Sequence, residues 1–179
     1  FQPIVELGAD GGQDRIRGLE ALMRWRHPER GLISPAEFIP IAEETGKIRE
    51  LTSLALTLAC RTLAAWRSRL PGAADLYMAV NISANDLLRS DLASMVRHVL
   101  EVHGLPPDRL RLEVTETAVM QVGGASTALL ADLTALGVRL SLDDFGTGYS
   151  SMSHLSRLPV DILKIDLGFV RMMDHGPRH

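Results

Sequence analysis

Strand-like and helix-like segments alternate along the whole 179-residue chain, and this alternation constrains its fold more than any other feature. Apolar runs such as LYMAVNIS, LRLEVTE and VRLSLDD are separated by longer helical patterns. Such alternation predicts βαβ units and a parallel sheet. The runs are apolar nearly throughout, which is typical of strands covered on both faces. We therefore expect an α/β fold.

The individual segments predict about six strands and five helices. The strands are expected at FQPIVEL, IRGLEALMRW, LYMAVNIS, LRLEVTE, VRLSLDD and DILKID. The helices are expected at 36–46, 48–69, 83–104, 126–137 and 150–158, with a loop at 26–35. Pro35 suits a first helical turn, and Gly104 suits the end of the third helix. A barrel of eight β/α units needs about 250 residues, so this count is about two units short.

Composition excludes several classes of protein. The chain has 46% hydrophobic and 23% charged residues, an ordinary globular balance that excludes a disordered tail or a disulfide-stapled mini-protein. Its 22 acids against 19 bases lack the basic excess typical of a nucleic-acid binder. The single cysteine, Cys60, allows no intrachain disulfide and is expected in the core. The chain opens at Phe1 without a signal-peptide pattern and ends at HGPRH, so we expect a piece of a longer protein.

Polar side chains collect near the carboxyl ends of the predicted strands. In a parallel α/β barrel such positions converge on one face, where active sites lie. Burying an unpaired carboxylate costs several kcal/mol, and a divalent cation relieves that cost. Oxygen ligands favour Mg²⁺ or Mn²⁺ over zinc. The strand-end residues are Glu20, Asn81, Glu113, Glu116, Asp143, Asp144, Lys164 and Asp166.

Each of these residues also has a simpler structural interpretation. A single strand-end carboxylate is often a helix cap or half of a surface ion pair, and Asp143 and Asp144 together could still cap a helix. Lys164, one of two lysines among 19 basic residues, either pairs with Asp166 or stabilises anionic charge at a phosphoryl centre. Arg24 is either a phosphate clamp or an exposed strand-end arginine.

The glycine-bearing loop DDFGTGYSS at 143–151 follows the double aspartate directly. Its glycines permit a close backbone approach to a ligand, so it is a candidate mobile lid or switch beside a metal. The alternative is an ordinary loop that caps the next helix through Ser150 or Ser151. The six histidines show no ligand spacing, and Trp25 and Trp66 are expected to serve packing.

An ordered set of motifs identifies the family that this chain resembles. The set comprises Glu20-Ala21-Leu22 within GLEALMRWRHPERG, then PAEFIPIAEETG, NIS, LEVTET, LDDFGTGYSS and LPVDILKID. Together they resemble the EAL domain family, bacterial phosphodiesterases that hydrolyse cyclic di-GMP. The resemblance covers essentially the whole chain. It implies a TIM-like (β/α)8 barrel with one strand running against the others.

The resemblance also implies a role for each candidate residue. Two-metal hydrolysis with Mg²⁺ or Mn²⁺ would give linear pGpG, and Ca²⁺ should inhibit it. The metal ligands would be Glu20, Asn81, Glu113 and Asp143, with Asp144 at the second metal. The catalytic residues would be Lys164, Glu20 and Asp144. The dinucleotide would be held by Gln2, Leu22 and Arg24. Glu116 would anchor the loop after the double aspartate, and Asp166 would be a further site carboxylate.

The chain departs from the family pattern in two places. Asn85-Asp86 stands where a glutamine more often precedes the leucine. Family members also continue into a seventh strand with an AEGVE-like motif and an eighth with a QGY-like motif, which this chain does not contain. We therefore expect residues 1–179 to form a single EAL domain that is incomplete at its C-terminus.

Three functions are compatible with this pattern. The favoured one is an active cyclic di-GMP phosphodiesterase. The others are a cyclic di-GMP binding module without turnover and an interaction domain. The resemblance further implies a homodimer in the intact domain and a cytoplasmic domain whose parent protein can be membrane-anchored and can carry sensory or diguanylate cyclase domains. The charge balance predicts no nucleic-acid polymer as partner.

Overall fold

Eight strands form the framework of the protein, seen in a computed structural model that describes residues 1–9, 12–146 and 158–173. In chain order they are β1 (Gln2–Glu6), β2 (Arg15–Ala21), β3 (Trp25–His27), β4 (Gly31–Ile33), β5 (Tyr77–Ile82), β6 (Leu110–Thr115), β7 (Arg139–Phe145) and β8 (Ile162–Ile165). Six of them form one sheet in the order β1-β2-β5-β6-β7-β8, and β3 and β4 form a separate hairpin. Only β1 is antiparallel to its neighbour in the large sheet. The predicted α/β class and the single reversed strand are confirmed.

Seven α-helices are described alongside these strands. They are α1 (Pro35–Glu44), α2 (Ile48–Arg69), α3 (Ala84–Leu87), α4 (Leu92–His103), α5 (Glu116–Val122), α6 (Gly124–Ala135) and α7 (Leu167–Met173). Ser34 caps α1 and Pro35 occupies its first turn, as that position favours. Within the described residues, none of these helices combines the length and apolar character needed to cross a bilayer.

The core lies between the sheet and the helices α2, α4 and α6. Leu56 and Leu63 of α2 are fully buried, as are Leu112 of β6 and Leu140 of β7. Burying each leucine stabilises the fold by about 1.5–3 kcal/mol. Because strand side chains alternate between faces, Glu113 points away from its neighbour Leu112, towards the interior of the curved sheet. The helices cover the face of the sheet that bears the leucines. The polar side chains of the strands therefore lie on the opposite face.

The single helix predicted over 83–104 is wrong, because the structure divides it into α3 and α4. The break follows from a buried polar network around Asp86, whose side chain is fully buried. Asp86 accepts hydrogen bonds from Thr52 Oγ1 at 2.7 Å and from Ser83 Oγ at 2.7 Å, and it pairs with Arg89 at 2.8 Å. These contacts end α3 after one turn, and Gly104 then ends α4 as predicted.

Three further boundaries differ from the sequence prediction. The strand expected over 16–25 ends at Ala21, and the predicted loop over 26–35 holds most of the β3–β4 hairpin. The short helix α5 directly after β6 was not predicted, although Thr115 caps it through a hydrogen bond from the Ala118 N–H. The predicted helix at 150–158 and most of the glycine-bearing loop lie in 147–157, outside the described residues.

Candidate functional site

Three carboxylates meet at the carboxyl ends of β2, β6 and β7. One oxygen from each of Glu20, Glu113 and Asp143 lies within 4.8 Å of the others. Parallel pairing of β6 with β7 places Thr115 opposite Asp143, so both strands end at the same edge of the sheet. The predicted convergence is therefore present for three of the six strand-end carboxylates named from the sequence.

Lys164 of β8 joins this carboxylate cluster from the neighbouring strand. Its Nζ donates to Glu113 Oε2 at 2.7 Å and to Asp143 Oδ2 at 2.9 Å, and it lies 3.6 Å from Glu20 Oε2. Glu113 is 2% exposed, so its charge has little solvent to stabilise it. The ammonium group thus partly neutralises three acids that would otherwise repel one another.

The environment of the cluster shifts several pKa values. Burial raises the pKa of Glu113, and Lys164 opposes that shift. Burial by itself would lower the pKa of Lys164, but hydrogen bonds to Glu113 and Asp143 outweigh it and raise the value. The pKa of Asp144 is raised by burial and by the adjacent charge of Asp143. Such coupled shifts are typical of functional sites.

Asn81 and Gln2 lie beside Glu20. The Asn81 Nδ2 donates to Glu20 Oε1 at 2.9 Å, which leaves Oδ1 as the acceptor end of its amide. Antiparallel pairing of β1 with β2 places Gln2 directly opposite Glu20. Asn81 and Gln2 thus lie next to the carboxylate cluster, and their roles as a metal ligand and a substrate contact stay predictions.

The donor set of the cluster fits a hard divalent cation. Glu20, Asn81, Glu113 and Asp143 offer only oxygen ligands, which Mg²⁺ and Mn²⁺ prefer. One oxygen from each of the three carboxylates lies within 4.8 Å of the others, a spacing that would let them share one cation. Lys164 already places a positive charge among these oxygens, which shows that the site stabilises a cation.

Asp144 is the penultimate residue of β7 and Glu116 is the first residue of α5, and both lie near the start of the loop that follows β7. Asp144 has a positive φ of 55°, an uncommon conformation for a residue other than glycine, and its N–H donates to Asp143 Oδ1 at 2.9 Å. Buried Glu116 accepts a hydrogen bond from the Gly146 N–H at 3.1 Å. Glu116 therefore holds the first residues of this loop.

Asp166 is not the partner of Lys164. Its Oδ1 accepts a hydrogen bond from the Gly168 N–H at 2.8 Å, at the beginning of α7. The Asp166–Lys164 ion pair weighed from the sequence is absent among the described residues, where Lys164 pairs with the cluster. Asp166 thus acts as a local helix cap in the structure.

A cleft of about 410 Å³ opens beside the cluster and shares Asn81 with it. Leu22 and Arg24, the two predicted substrate contacts next to Glu20 in sequence, line its wall. Arg24 is exposed, and its Nη1 donates to the carbonyl of Met23 at 2.8 Å. The volume is within the range of about 300–1,000 Å³ typical of small-molecule sites.

Sequence reasoning missed Glu43, which also lines this cleft. It lies four and eight residues after Ile39 and Pro35 on α1, and all three face the same cavity. A carboxylate at helical spacing from apolar residues was the signal that could have found it.

The fold and the carboxylate cluster define a class: α/β barrel-type domains with a metal-competent acidic site at the carboxyl ends of their strands. Within that class, the family model described as EAL domain matches residues 1–179, so the chain belongs to the EAL domain family. The family resemblance seen in the motifs is confirmed.

Two curated relatives come from Pseudomonas aeruginosa. The bifunctional diguanylate cyclase/cyclic di-GMP phosphodiesterase MucR is 47% identical over 158 residues, which is 88% of this chain and 23% of MucR. The cyclic di-GMP phosphodiesterase NbdA is 48% identical over 170 residues, which is 95% of this chain and 21% of NbdA. The chain therefore spans less than a quarter of the length of either relative.

Two solved structures show the same fold. The MucR phosphodiesterase in its c-di-GMP complex has a TM-score of 0.84 and 46% identity, covering 90% of this chain and 65% of that one. The EAL enzyme Bd1971 with cAMP and cyclic di-GMP bound has a TM-score of 0.88 and 34% identity, covering 98% of this chain and 47% of that one. These similarities confirm the predicted barrel type, of which the described sheet forms part.

Proposed function

We propose that residues 1–179 act as one EAL domain that hydrolyses cyclic di-GMP to linear pGpG with Mg²⁺ or Mn²⁺. The observation that carries this proposal is the cluster of Glu20, Glu113 and Asp143 around Lys164, which is joined through Asn81 to a neighbouring cleft. Support also comes from MucR and NbdA, both named as cyclic di-GMP phosphodiesterases.

In this proposal the all-oxygen cluster holds the metal. Glu20, Asn81, Glu113 and Asp143 are its ligands, and Asp144 contributes to a second metal position. When bound, such cations lower the pKa of a water molecule and neutralise developing negative charge on phosphate. The close spacing of the three carboxylates supports this assignment.

The remaining roles belong to residues that bind and orient the phosphodiester. A lysine is protonated at neutral pH, so Lys164 donates hydrogen bonds to the attacking water or a phosphoryl oxygen and cannot act as a base. Arg24 contacts the other phosphate, and Gln2 and Leu22 position the dinucleotide. The water oxygen bonds to phosphorus and gives up a proton, the bond from phosphorus to the 3′ oxygen breaks, and that oxygen takes up one proton from the surrounding water, so that one water molecule is consumed in all.

Glu116 and Asp166 each position the chain by accepting a hydrogen bond from a backbone N–H group. Glu116 holds Gly146 and with it the beginning of the loop that follows Asp144 and the end of β7. Asp166 caps α7 directly after the strand that presents Lys164. Both keep charged groups in position without touching the substrate.

A chromatographic assay for pGpG tests this function. We expect product from cyclic di-GMP and Mg²⁺ with the parent protein and with Glu101→Ala, a control at an exposed glutamate of α4. We expect no product with Glu20→Ala. Binding of cyclic di-GMP without product would favour the binding-module alternative, and neither binding nor product would contradict the proposal. The homodimer, the fused signalling domains, the cytoplasmic location and the absence of a nucleic-acid polymer stay predictions.

A further inference from the structure

A second cavity lies at the amino-terminal ends of β2, β5 and β6, at the end of the sheet away from the carboxylate cluster. Its volume is about 520 Å³, which is within the range of about 300–1,000 Å³ typical of small-molecule sites. It shares no lining residue with the cleft that Asn81 joins to the cluster. Its wall includes three arginines, Arg17, Arg109 and Arg111.

Two of the three arginines already have carboxylate partners. Arg17 Nε lies 2.7 Å from Glu6 Oε2. Arg109 Nε lies 3.3 Å from Asp108 Oδ2, and its Nη2 lies 3.6 Å from Asp75 Oδ1. Glu6, Asp75 and Asp108 also line the cavity. Each acid of the wall thus pairs with one of these two arginines, and the third arginine is left to itself.

Arg111 is a half-buried cation without a counter-ion in the part of the chain that the structure describes. Its guanidinium carbon lies 3.3 Å from the centre of the Tyr77 ring, and its Nε is buried with no hydrogen-bond partner among those residues. Burial lowers the pKa of Arg111. A charge that is withdrawn from water without a partner is costly, so such a group calls for a ligand of opposite charge.

The neighbouring strand adds to the positive charge around Arg111. Parallel pairing of β6 with β7 places Arg111 opposite Arg139, and like charges in facing positions repel each other. Arg139 has its own partner, because its Nη1 donates to Asp161 Oδ1 at 2.8 Å. The other oxygen of Asp161 accepts from the Leu140 N–H at 3.0 Å. Asp161 is therefore engaged by Arg139 and the backbone, and it forms no ion pair with Arg111 among the described residues.

We propose that this second cavity binds a small oxyanion, a phosphate or carboxylate group held by the guanidinium of Arg111. A guanidinium offers parallel N–H donors that match two oxygens of either group. Its stacking on Tyr77 fixes its plane, so the donors are oriented before the ligand arrives. The anion supplies the charge that Arg111 lacks. Phosphate carries more negative charge than a carboxylate near neutral pH and should bind more tightly.

Titrations with inorganic phosphate and, separately, with acetate test this site. Each anion is added in EDTA at about pH 7.5, where phosphate carries close to two charges, with the ionic strength held constant by NaCl. Tm and titration calorimetry report binding. Arg111→Met keeps an apolar contact with Tyr77 but removes the donors, and Arg111→Lys keeps the charge without the fork and carries the test should Arg111→Met not fold. Arg61→Met, at an exposed arginine of α2, is the matched control.

We expect phosphate at about ten times its Kd to raise the Tm of the parent by about 3–6 °C. Arg111→Met should bind phosphate about tenfold or more weakly, so the same concentration should raise its Tm by less than about 2 °C. Arg111→Lys should bind more weakly than the parent, and Arg61→Met should bind like the parent. Phosphate also stabilises proteins in general, and that effect is equal in all variants.

Lys164→Met separates the two ends of the sheet, because it removes the cation of the carboxylate cluster and should keep the full phosphate response. Acetate that binds more tightly than phosphate, with the same dependence on Arg111, would assign the site to a carboxylate. Three results overturn the inference and leave the proposed hydrolysis intact. They are equal responses in Arg111→Met and the parent, no response of the parent to either anion, and a response that is lost in Lys164→Met.

Discussion

Replacing Lys164 with methionine should destabilise the metal-free protein and make its stability depend on divalent cations. The substitution keeps the length of the side chain but removes the ammonium group that lies 2.7 Å from Glu113 and 2.9 Å from Asp143. Breaking a buried ion pair costs about 3–5 kcal/mol. Lys164 is 31% exposed and Glu113 can take up a proton, so we expect a loss of about 2–3 kcal/mol.

Thermal and urea unfolding in excess EDTA measure this loss directly. For a domain of this size a loss of 1 kcal/mol lowers Tm by about 2–4 °C, so Lys164→Met should melt about 4–12 °C lower than the parent. Lys164→Arg keeps the positive charge, so its stability should fall less than that of Lys164→Met. Lys47→Met is the matched control because Lys47 is the other lysine and forms an exposed pair with Glu50. The Tm of that control should equal the Tm of the parent, because exposed ion pairs contribute little to folding stability.

Adding millimolar Mg²⁺ or Mn²⁺ tests whether the stability of the variant depends on divalent cations. A cation that binds only the folded state raises stability, and it should do so more in Lys164→Met, where no ammonium competes for the carboxylates. Two results would refute the reasoning. One is equal unfolding midpoints for Lys164→Met and the parent in EDTA. The other is stabilisation by Mg²⁺ that is no greater in the variant than in the parent.

Three further changes probe the fold around the site. Asp86→Ala should lower the free energy of unfolding in urea by about 3–5 kcal/mol because it leaves a buried ion pair broken, whereas exposed Asp75→Ala should have little effect. Gly18→Ala should cost about 1–3 kcal/mol, since its Cβ would lie 2.5 Å from the Tyr77 ring, and Tyr77→Leu should recover part of that loss. Burial raises the pKa of the Cys60 thiol to about 12, so a thiol reagent at about pH 8 should label Cys60 only after urea unfolding; rapid labelling of the native protein would contradict its burial.

Local patterns predicted much of the fold. Helix α2 was predicted at its observed bounds because it is a long helical pattern without glycine or proline. The pattern failed where partners distant in sequence decide the structure. Asp86 bonds to Ser83 and Arg89 nearby, but it is also held by Thr52, which is 34 positions away, and the residues around the break do not reveal that distant contact.

In the candidate site, too, some features could be predicted from local sequence patterns and others depended on contacts between distant residues. The carboxylates of Glu20, Glu113 and Asp143 were expected to converge because parallel strands end at a common edge. The loop-holding contact from Glu116 to Gly146 came from the family resemblance and not from any local pattern, and the structure contains it. Glu43 was missed because its helical spacing from apolar residues indicates a shared face of α1 but does not say that this face borders a cleft.

The sequence alone therefore determined the class of the fold, the family, and which strand ends bear carboxylates. These follow from residue types and from the period of two that strands impose on side chains. Only the tertiary structure decided that Lys164 lies among Glu113, Asp143 and Glu20 while Asp166 caps a helix. Such pairings depend on strand order, register and the packing of helices against the sheet, and these arise from contacts between residues far apart in the chain.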